Sequence, residues 1–324
     1  MSDRPGASGA LLDPPAQRGA VTPRREWLSI LARAARSRRG AIGLALAGAV
    51  VLLAIIGPFV APHSPAESVT ATFAPPSGSY PLGSDTLGRD VLSRVLAGGW
   101  LLLAMAAGAT ALGVGVGVLI GIAAAYYGKL VDGLLMRIVD VFLAIPQLVF
   151  ALLLVSVLGP HVWLILVAVG MSHAPQVARV VRAAALDISD RDYVRAVELL
   201  GTPPRRVMAG EILPNVLSVV MVELGLRFTY SILIIAGLSF LGFGIQPPAA
   251  NWGLMINENR IGLVANPWGV VAPILLIAIL SIGLNTFTDA IVRASLGVDR
   301  PTEQLAVTAA MTTEVGSGLG EVIS

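Results

Sequence analysis

The segment YVRAVELLGTPPRRVMAGEILPN, residues 193–215, is a charged stretch set between hydrophobic runs that could not rest in water. Its Glu and Arg side chains need solvent while its neighbours need hydrocarbon, so the chain must leave a bilayer here and return to it. Local signals divide the segment into two short helices. Ser189 or Asp190 can cap a helix through Leu200, Gly201 suits the left-handed position past its end, and Thr202 can cap a second helix beginning at Pro203, where a missing N–H costs little. Val194, Val197 and Leu200 recur at helical spacing between Arg191, Arg195 and Glu198, which makes the first helix amphipathic. On physics alone such a helix fits a groove on a partner protein or lies flat on lipid headgroups, and the two readings stand level.

The flanking chain supports a membrane setting. Of 324 residues, 55% are hydrophobic and 13% charged, too few charges to cover the surface of a soluble domain. The windows 40–61, 95–128, 141–172, 228–257 and 261–288 contain no Asp, Glu, Lys or Arg, and a helical span needs only about 20 apolar residues. Pro160-His161 divides the third window, and Gln246-Pro247-Pro248 ends the apolar part of the fourth, because proline and its predecessor resist helix continuation. The expected fold is an all-α integral membrane protein with six transmembrane helices, near 41–60, 99–126, 134–158, 161–180, 215–243 and 268–292. An even number of spans leaves both termini on one side. Arg24, Arg25, Arg33, Arg36, Arg38 and Arg39 crowd the start of the first span and assign that side to the cytoplasm.

On this topology residues 1–39 are a cytoplasmic tail with a basic flank. Residues 40–297 are the membrane domain, with an outer loop over 62–98 and a cytoplasmic loop over 181–214, and residues 298–324 are a second cytoplasmic tail. Within them, residues 1–23, rich in Pro, Gly, Ala and Ser, and residues 301–324, rich in Thr, Gly, Ala and Val without a clear helical face, read as weakly ordered. Within the outer loop, Leu87, Val91, Arg94 and Val95 recur at helical spacing and predict an amphipathic helix on the outer surface over 85–96. A second outer loop, 246–267, is flanked by Trp252 and Trp268, side chains expected at headgroup level. The basic residues follow the cytoplasmic flanks and are not interleaved with aromatics, which argues against a nucleic-acid surface. The chain has no cysteine, so neither disulfides nor thiolate metal sites arise.

Several constellations lie in or beside the spans. Gly113, Gly117 and Gly121 form a small-residue stripe that lets a helix approach closely, from this chain or another subunit. Glu223 and Arg227, four apart, can pair on one helical face, and Arg137 and Asp140, three apart, invite the same reading with Asp132 nearby; each pair is structural or lines a pathway. Gln147 follows Pro146 and either lines a pathway or, the preferred reading, satisfies a carbonyl freed by that proline. His63, His161 and His173 have no ligand at i+3 or i+4, so no metal site is expected. Gly170-Met171-Ser172-His173 lacks the closing glycine of an intramembrane serine protease, and no catalytic residue is assigned.

Resemblance decides between partner and lipid. Residues 193–214 resemble the cytoplasmic Glu-Ala-Ala loop of ABC-importer permeases: Arg195-Ala196-Val197 stands at the Glu-Ala-Ala position, followed by Gly201, Leu213 and Pro214 at the family's spacing, with Glu211 where the pattern has Ile. The run Pro81-Leu82-Gly83-Ser84-Asp85-Thr86-Leu87-Gly88-Arg89-Asp90 is similar to the outer signature of the C-type permease subunit of dipeptide and oligopeptide importers. So are Phe59-Val60-Ala61-Pro62, Leu238 to Gly244, Gln246-Pro247-Pro248 and Asn251-Trp252-Gly253, whereas relatives often carry an acidic residue where Ile235 stands. The resemblance implies a type I ABC-importer permease architecture in the cell membrane. It implies ATPase coupling through Tyr193, Arg195, Ala196, Val197, Gly201, Arg205, Leu213 and Pro214, and an outer signature at Gly83, Asp85, Gly88, Arg89 and Asp90. It further implies a second homologous permease subunit, two ABC ATPase subunits that bind ATP and Mg, and an extracytoplasmic substrate-binding protein. The chain has no G-x-x-x-x-G-K-[ST]; Gly128-Lys129-Leu130 lacks both the glycine spacing and the hydroxyl, so the chain is no ATPase. An importer of nickel, glutathione or an opine would share these motifs. A secondary transporter coupling protons through Glu223 and Asp140 would need no ATPase and should show repeats, which are not found.

Overall fold

In lipid every backbone polar group needs an internal partner, and a chain of Leu, Val, Ala and Gly meets that need by coiling into helices. The computed structural model describes residues 23–296; the expectations for residues 1–22 and 297–324 lie outside the described residues. The helices are α1 (Pro23–Arg36), α2 (Arg38–Val60), α3 (Val91–Ala97), α4 (Gly99–Tyr127), α5 (Lys129–Leu143), α6 (Gln147–Leu158), α7 (Val162–Ser189), α8 (Asp192–Leu199), α9 (Pro204–Val207), α10 (Leu213–Phe240), α11 (Trp252–Asn259) and α12 (Trp268–Ser295). A π-helical turn, Met208–Ile212, joins α9 to α10. Among the described residues the only β contacts are two isolated bridges, Ser68 with Arg89 and Ser84 with Asp90.

Small residues set the helix packing. The stripe Gly113, Gly117 and Gly121 lies against α7 of the same chain, facing Gly170, Ala174, Val177 and Ala178, so backbone meets backbone over two turns. A second close crossing joins α2 to α12, where a Cβ on Gly43 would stand 2.7 Å from the Gly283 carbonyl oxygen. The central core gathers Ala106, Ala109, Ile165, Val169, Ile232 and Ile235. A second core near the 190–212 segment joins Val118, Val181, Val194, Val207, Ile212 and Val216.

Five helical stretches are long and apolar enough to cross a membrane, and the pair α5 and α6, bent by 80° at a short break, makes a sixth if counted as one span. The span expected over 134–158 is built as two half-helices. Pro146 has no N–H to give, and its ring drives Ile145 out of helical conformation. The amphipathic outer helix is corrected. Helix α3 starts only at Val91, because Asp90 caps it by accepting from Leu92 N and Ser93 N at 3.3 and 3.1 Å, and its Arg94 is fully buried. Trp252 does not face the headgroups: it is fully buried, its indole Nε1 donating to the Val95 carbonyl at 2.8 Å. Trp268 is 39% exposed. Helix α1 was not foreseen. Its Ile30 and Ala34 pack on Ala290, Ile291 and Ala294 of α12, which ties the basic flank to the last helix.

Candidate functional site

The 190–212 segment is anchored from inside and displayed outside. Val194 of α8, Val207 of α9 and Ile212 of the π turn are each 1% exposed or less and plug into the second core. Val197 packs half-buried against the same core, whereas Leu200 is 84% exposed and Leu199 89%. The expected apolar stripe thus divides: Val194 and Val197 serve the chain's own body, and the leucines form a bare tip. Gly201 closes α8 in the left-handed region, φ +78°, with its N–H on the Glu198 carbonyl at 2.8 Å and the Thr202 N–H on the Val197 carbonyl at 3.4 Å. This pair of bonds is a Schellman closure, and it aims the tip away from the core. The capping expectations shift by a residue or two. Arg191 and Pro203 occupy the N-cap positions without a side-chain bond, Asp190 instead ends α7, and α9 begins at Pro204.

Of the residues expected to couple, Tyr193, Arg195, Ala196 and Arg205 are exposed, and Leu213 and Pro214 are half-buried at the start of α10. Tyr193 accepts a hydrogen bond from Asn215 Nδ2 at 3.2 Å, and Arg195 reaches Asp190 at 3.3 Å on an exposed face. The surface around the tip therefore combines two leucines, two prolines and the cations Arg205 and Arg206.

At the opposite end the outer signature closes on itself. Asp85, fully buried, accepts from Leu87 N and Arg89 N at 2.9 Å each, from Arg89 Nε at 2.6 Å and from Arg94 Nη1 at 2.9 Å. Both guanidinium groups then converge on Glu258 Oε2, each at 2.9 Å. Burial pushes the Glu258 carboxyl up, against the opposing pull of Arg89. Gly83 and Gly88 make the turns possible, with φ of +70° and +72°; a side chain at Gly88 would strike the Thr70 carbonyl. Asp90, besides capping α3, accepts from Ser93 Oγ at 2.6 Å and lies 3.2 Å from His63 Nδ1. Asn259 accepts from Thr86 N at 3.0 Å, and Asn266 donates to the Leu82 and Ser84 carbonyls at 2.9 Å each. Glu258, Asn259 and Asn266 were absent from the sequence reading. The polarity of a loop otherwise rich in apolar residues was the signal available for them.

Inside the membrane domain, Arg227 Nε donates to Glu223 Oε2 at 2.9 Å and its Nη1 to Gln176 Oε1 of α7 at 2.6 Å. The Arg137–Asp140 pairing is corrected. Asp140 is bonded by Arg179 and Asp132 by Arg182, both across to α7, and Arg137 is exposed with no ion pair among the described residues. The i, i+3 spacing allowed the local pair, but each α7 arginine reaches the carboxylate from a facing helix. Gln147 is corrected too: it leaves its own helix and donates to the Ser172 carbonyl at 3.1 Å and to Gln176 Oε1 at 2.6 Å.

Residues 117–295 match the family described as binding-protein-dependent transport system inner membrane component. The chain belongs to this family. It is a multi-pass permease of the inner membrane, and its residues 26–76 also match the N-terminal transmembrane domain of oligopeptide transport permease C. A Brucella suis biovar 1 (strain 1330) protein named as a peptide transport system permease is 38% identical over 258 residues, 79% of this chain and 87% of its own. The dipeptide transport system permease protein DppC of Haemophilus influenzae (strain Rd) is 33% identical, over 78% of this chain and 89% of its own. The di/tripeptide transport system permease protein DppC of Pseudomonas aeruginosa (strain UCBPP-PA14) is 33% identical, over 78% and 86%. The longer family match contains the whole tip segment and the Glu223–Arg227–Gln176 contacts, whereas Asp85, Arg89 and Arg94 lie between the two matched regions.

Proposed function

We propose that this permease is one of two homologous membrane subunits of an ATP-driven importer for di- or oligopeptides. Two cytoplasmic ATPases that bind ATP and Mg drive it through the 190–212 segment, and an extracytoplasmic binding protein delivers cargo to the opposite face. The observation that carries the coupling role is the tip itself: Leu199 and Leu200 stand exposed at 89% and 84% on a segment whose other side is locked into the core by Val194, Val207 and Ile212. A protruding apolar tip on a rigid base can be held in a partner's groove and pull on what lies behind it, here the ends of α7 and α10. Arg36 at the end of α1 and Arg38 and Arg39 in the first turn of α2 support a cytoplasmic N-terminus, and with six crossings the tip and the C-terminus fall on the same side. The peptide assignment rests on the names carried by the similar permeases. ATP closes the ATPase pair, the tip is displaced, and α7 and α10 tilt to open the pathway outward; hydrolysis resets it.

The test is affinity purification of the tagged chain in mild detergent, with mass spectrometry of the bound proteins and an ATPase assay on the eluate. Recovery of a second permease and of ATPases carrying the G-x-x-x-x-G-K-[ST] motif is expected. A solitary chain that moves dipeptide into liposomes without ATP would overturn the proposal.

A further inference from the structure

Three polar side chains meet halfway through the membrane domain. Gln176 and Arg227 each stand at the middle of a 28-residue helix, α7 and α10, and Gln147 opens α6 at the break of the bent pair. Their hydrogen bonds fix which atom is which. Gln147 Nε2 faces the Ser172 carbonyl, Gln176 Oε1 and, at 3.4 Å, His173 Nδ1, so its Oε1 is the end left over; Gln176 Oε1 also receives Arg227 Nη1. Arg227 Nε is engaged by Glu223, whereas no hydrogen bond is made by Arg227 Nη2 or Gln147 Oε1 among the described residues. The guanidinium lies 5.5 Å from the centroid of the Tyr230 ring, which is itself 47% exposed. Below this level the seam between α5 and α7 continues polar, with the Asp140–Arg179 pair more than half exposed and Asp132–Arg182 beyond it.

An exposed ion pair and a guanidinium at mid-helix cannot face hydrocarbon; they face water or protein. A break in a spanning helix is tolerated where it is buried in protein or lines a cavity. We propose that Arg227 Nη2 and Gln147 Oε1, beside Tyr230, form a mid-membrane contact for the peptide unit of passing cargo, and that the Asp140–Arg179 seam is its wetted route to the tip side. The donor suits a carbonyl or carboxylate oxygen and the acceptor suits an amide N–H, the two groups every peptide carries whatever its side chains. The positive charge is already matched by Glu223, and each seam arginine by an aspartate, so the route presents paired charges to a zwitterion and holds it loosely. Weak, repeated contact is what passage requires. The inference rests on the importer reading above.

The chain's lack of cysteine makes the test direct. Tyr230→Cys and, independently, Ala144→Cys at the exposed α5 end are assembled with the partner subunits in proteoliposomes and treated with a membrane-impermeant methanethiosulfonate. Leu119→Cys, 72% exposed on an apolar face of α4, serves as the lipid-facing control. Because the thiolate is the reacting form and hydrocarbon disfavours it, reaction at 230 and 144 is expected to be at least about tenfold faster than at 119. Labelling at 230 should slow when a transported dipeptide is added. Reaction at 230 and 144 with a lipid-soluble maleimide only, or with neither reagent, assigns the face to lipid or to a subunit interface and overturns the proposal. Absence of ATP-driven uptake by the unsubstituted assembly would count instead against the importer reading, leaving the thiol-access result to judge the wetted site.

Discussion

Adding one methyl group to the α4 stripe should loosen the membrane domain, and its neighbour on the same helix supplies the control. A Cβ at Gly117 would lie 2.6 Å from Val177 Cβ and 2.8 Å from the Ala174 carbonyl oxygen. Carbon atoms rest about 3.5–4.0 Å apart, so α4 and α7 would have to separate by about 1 Å. Overpacking of this kind costs about 1–3 kcal/mol, against a gain of up to about 1 kcal/mol from the higher helix propensity of alanine. Gly117→Ala is expected to destabilise by a net of about 1–2 kcal/mol. At Gly115, two residues earlier, nothing lies within 4 Å of an added Cβ, so Gly115→Ala should be neutral or slightly stabilising. The assay is thermal denaturation of the detergent-purified chain, followed by loss of the monodisperse chromatographic peak. Equal midpoints for the two variants, or a higher midpoint for Gly117→Ala, would refute the argument that α4 and α7 meet backbone to backbone.

Three further outcomes follow from the same geometry. Gly201→Val places a β-branched residue at φ +78° and should lower uptake while ATPase activity persists, because the strain of about 1–2 kcal/mol turns the tip rather than unfolding the core; Gly201→Asn, which tolerates that region, should transport, and equal behaviour of the two in paired uptake and ATPase assays would refute the hinge. Arg94→Met leaves Asp85 and Glu258 with Arg89 alone at a fully buried site; a loss of about 3–5 kcal/mol is expected, partly recovered on adding Glu258→Gln, as read from the denaturation midpoint. Trp252→Phe keeps an aromatic ring but shortens the buried side chain and strands the Val95 carbonyl, the lost hydrogen bond alone costing about 1–3 kcal/mol in the same measurement.

How far the sequence could be read depended on the range of each interaction. Runs without charge gave the helices, since hydrocarbon burial is decided residue by residue, and the 113/117/121 glycines announced a close crossing though not its partner. Gly201 was readable because a left-handed helix end is a local matter. Pro146 was visible, but whether it kinks or breaks a helix depends on what the freed groups can reach. Arg94 and Trp252 were misread because each is buried by something distant in the chain: Arg94 by Glu258, and Trp252 by the Val95 carbonyl. Spacing alone made one a surface cation and the other a headgroup anchor. The arginine partners of Asp132 and Asp140 were hidden for the same reason. Helix α1 escaped notice because its arginines dominated a segment whose apolar residues, Ile30 and Ala34, needed α12 to give them meaning.

The bare leucines at the end of α8 also bear on how cells would count copies of this subunit. With Leu199 and Leu200 pointing outward on a fixed turn, an orphan chain carries a sticky knob that none of the described residues covers. Chaperones and proteases survey for exposed apolar groups of this kind, so a surplus chain would be marked for removal by the same residues that an assembled complex conceals. Masking of the knob would then serve as the sign that assembly is finished, and the supply of the partner would set the level at which this permease accumulates.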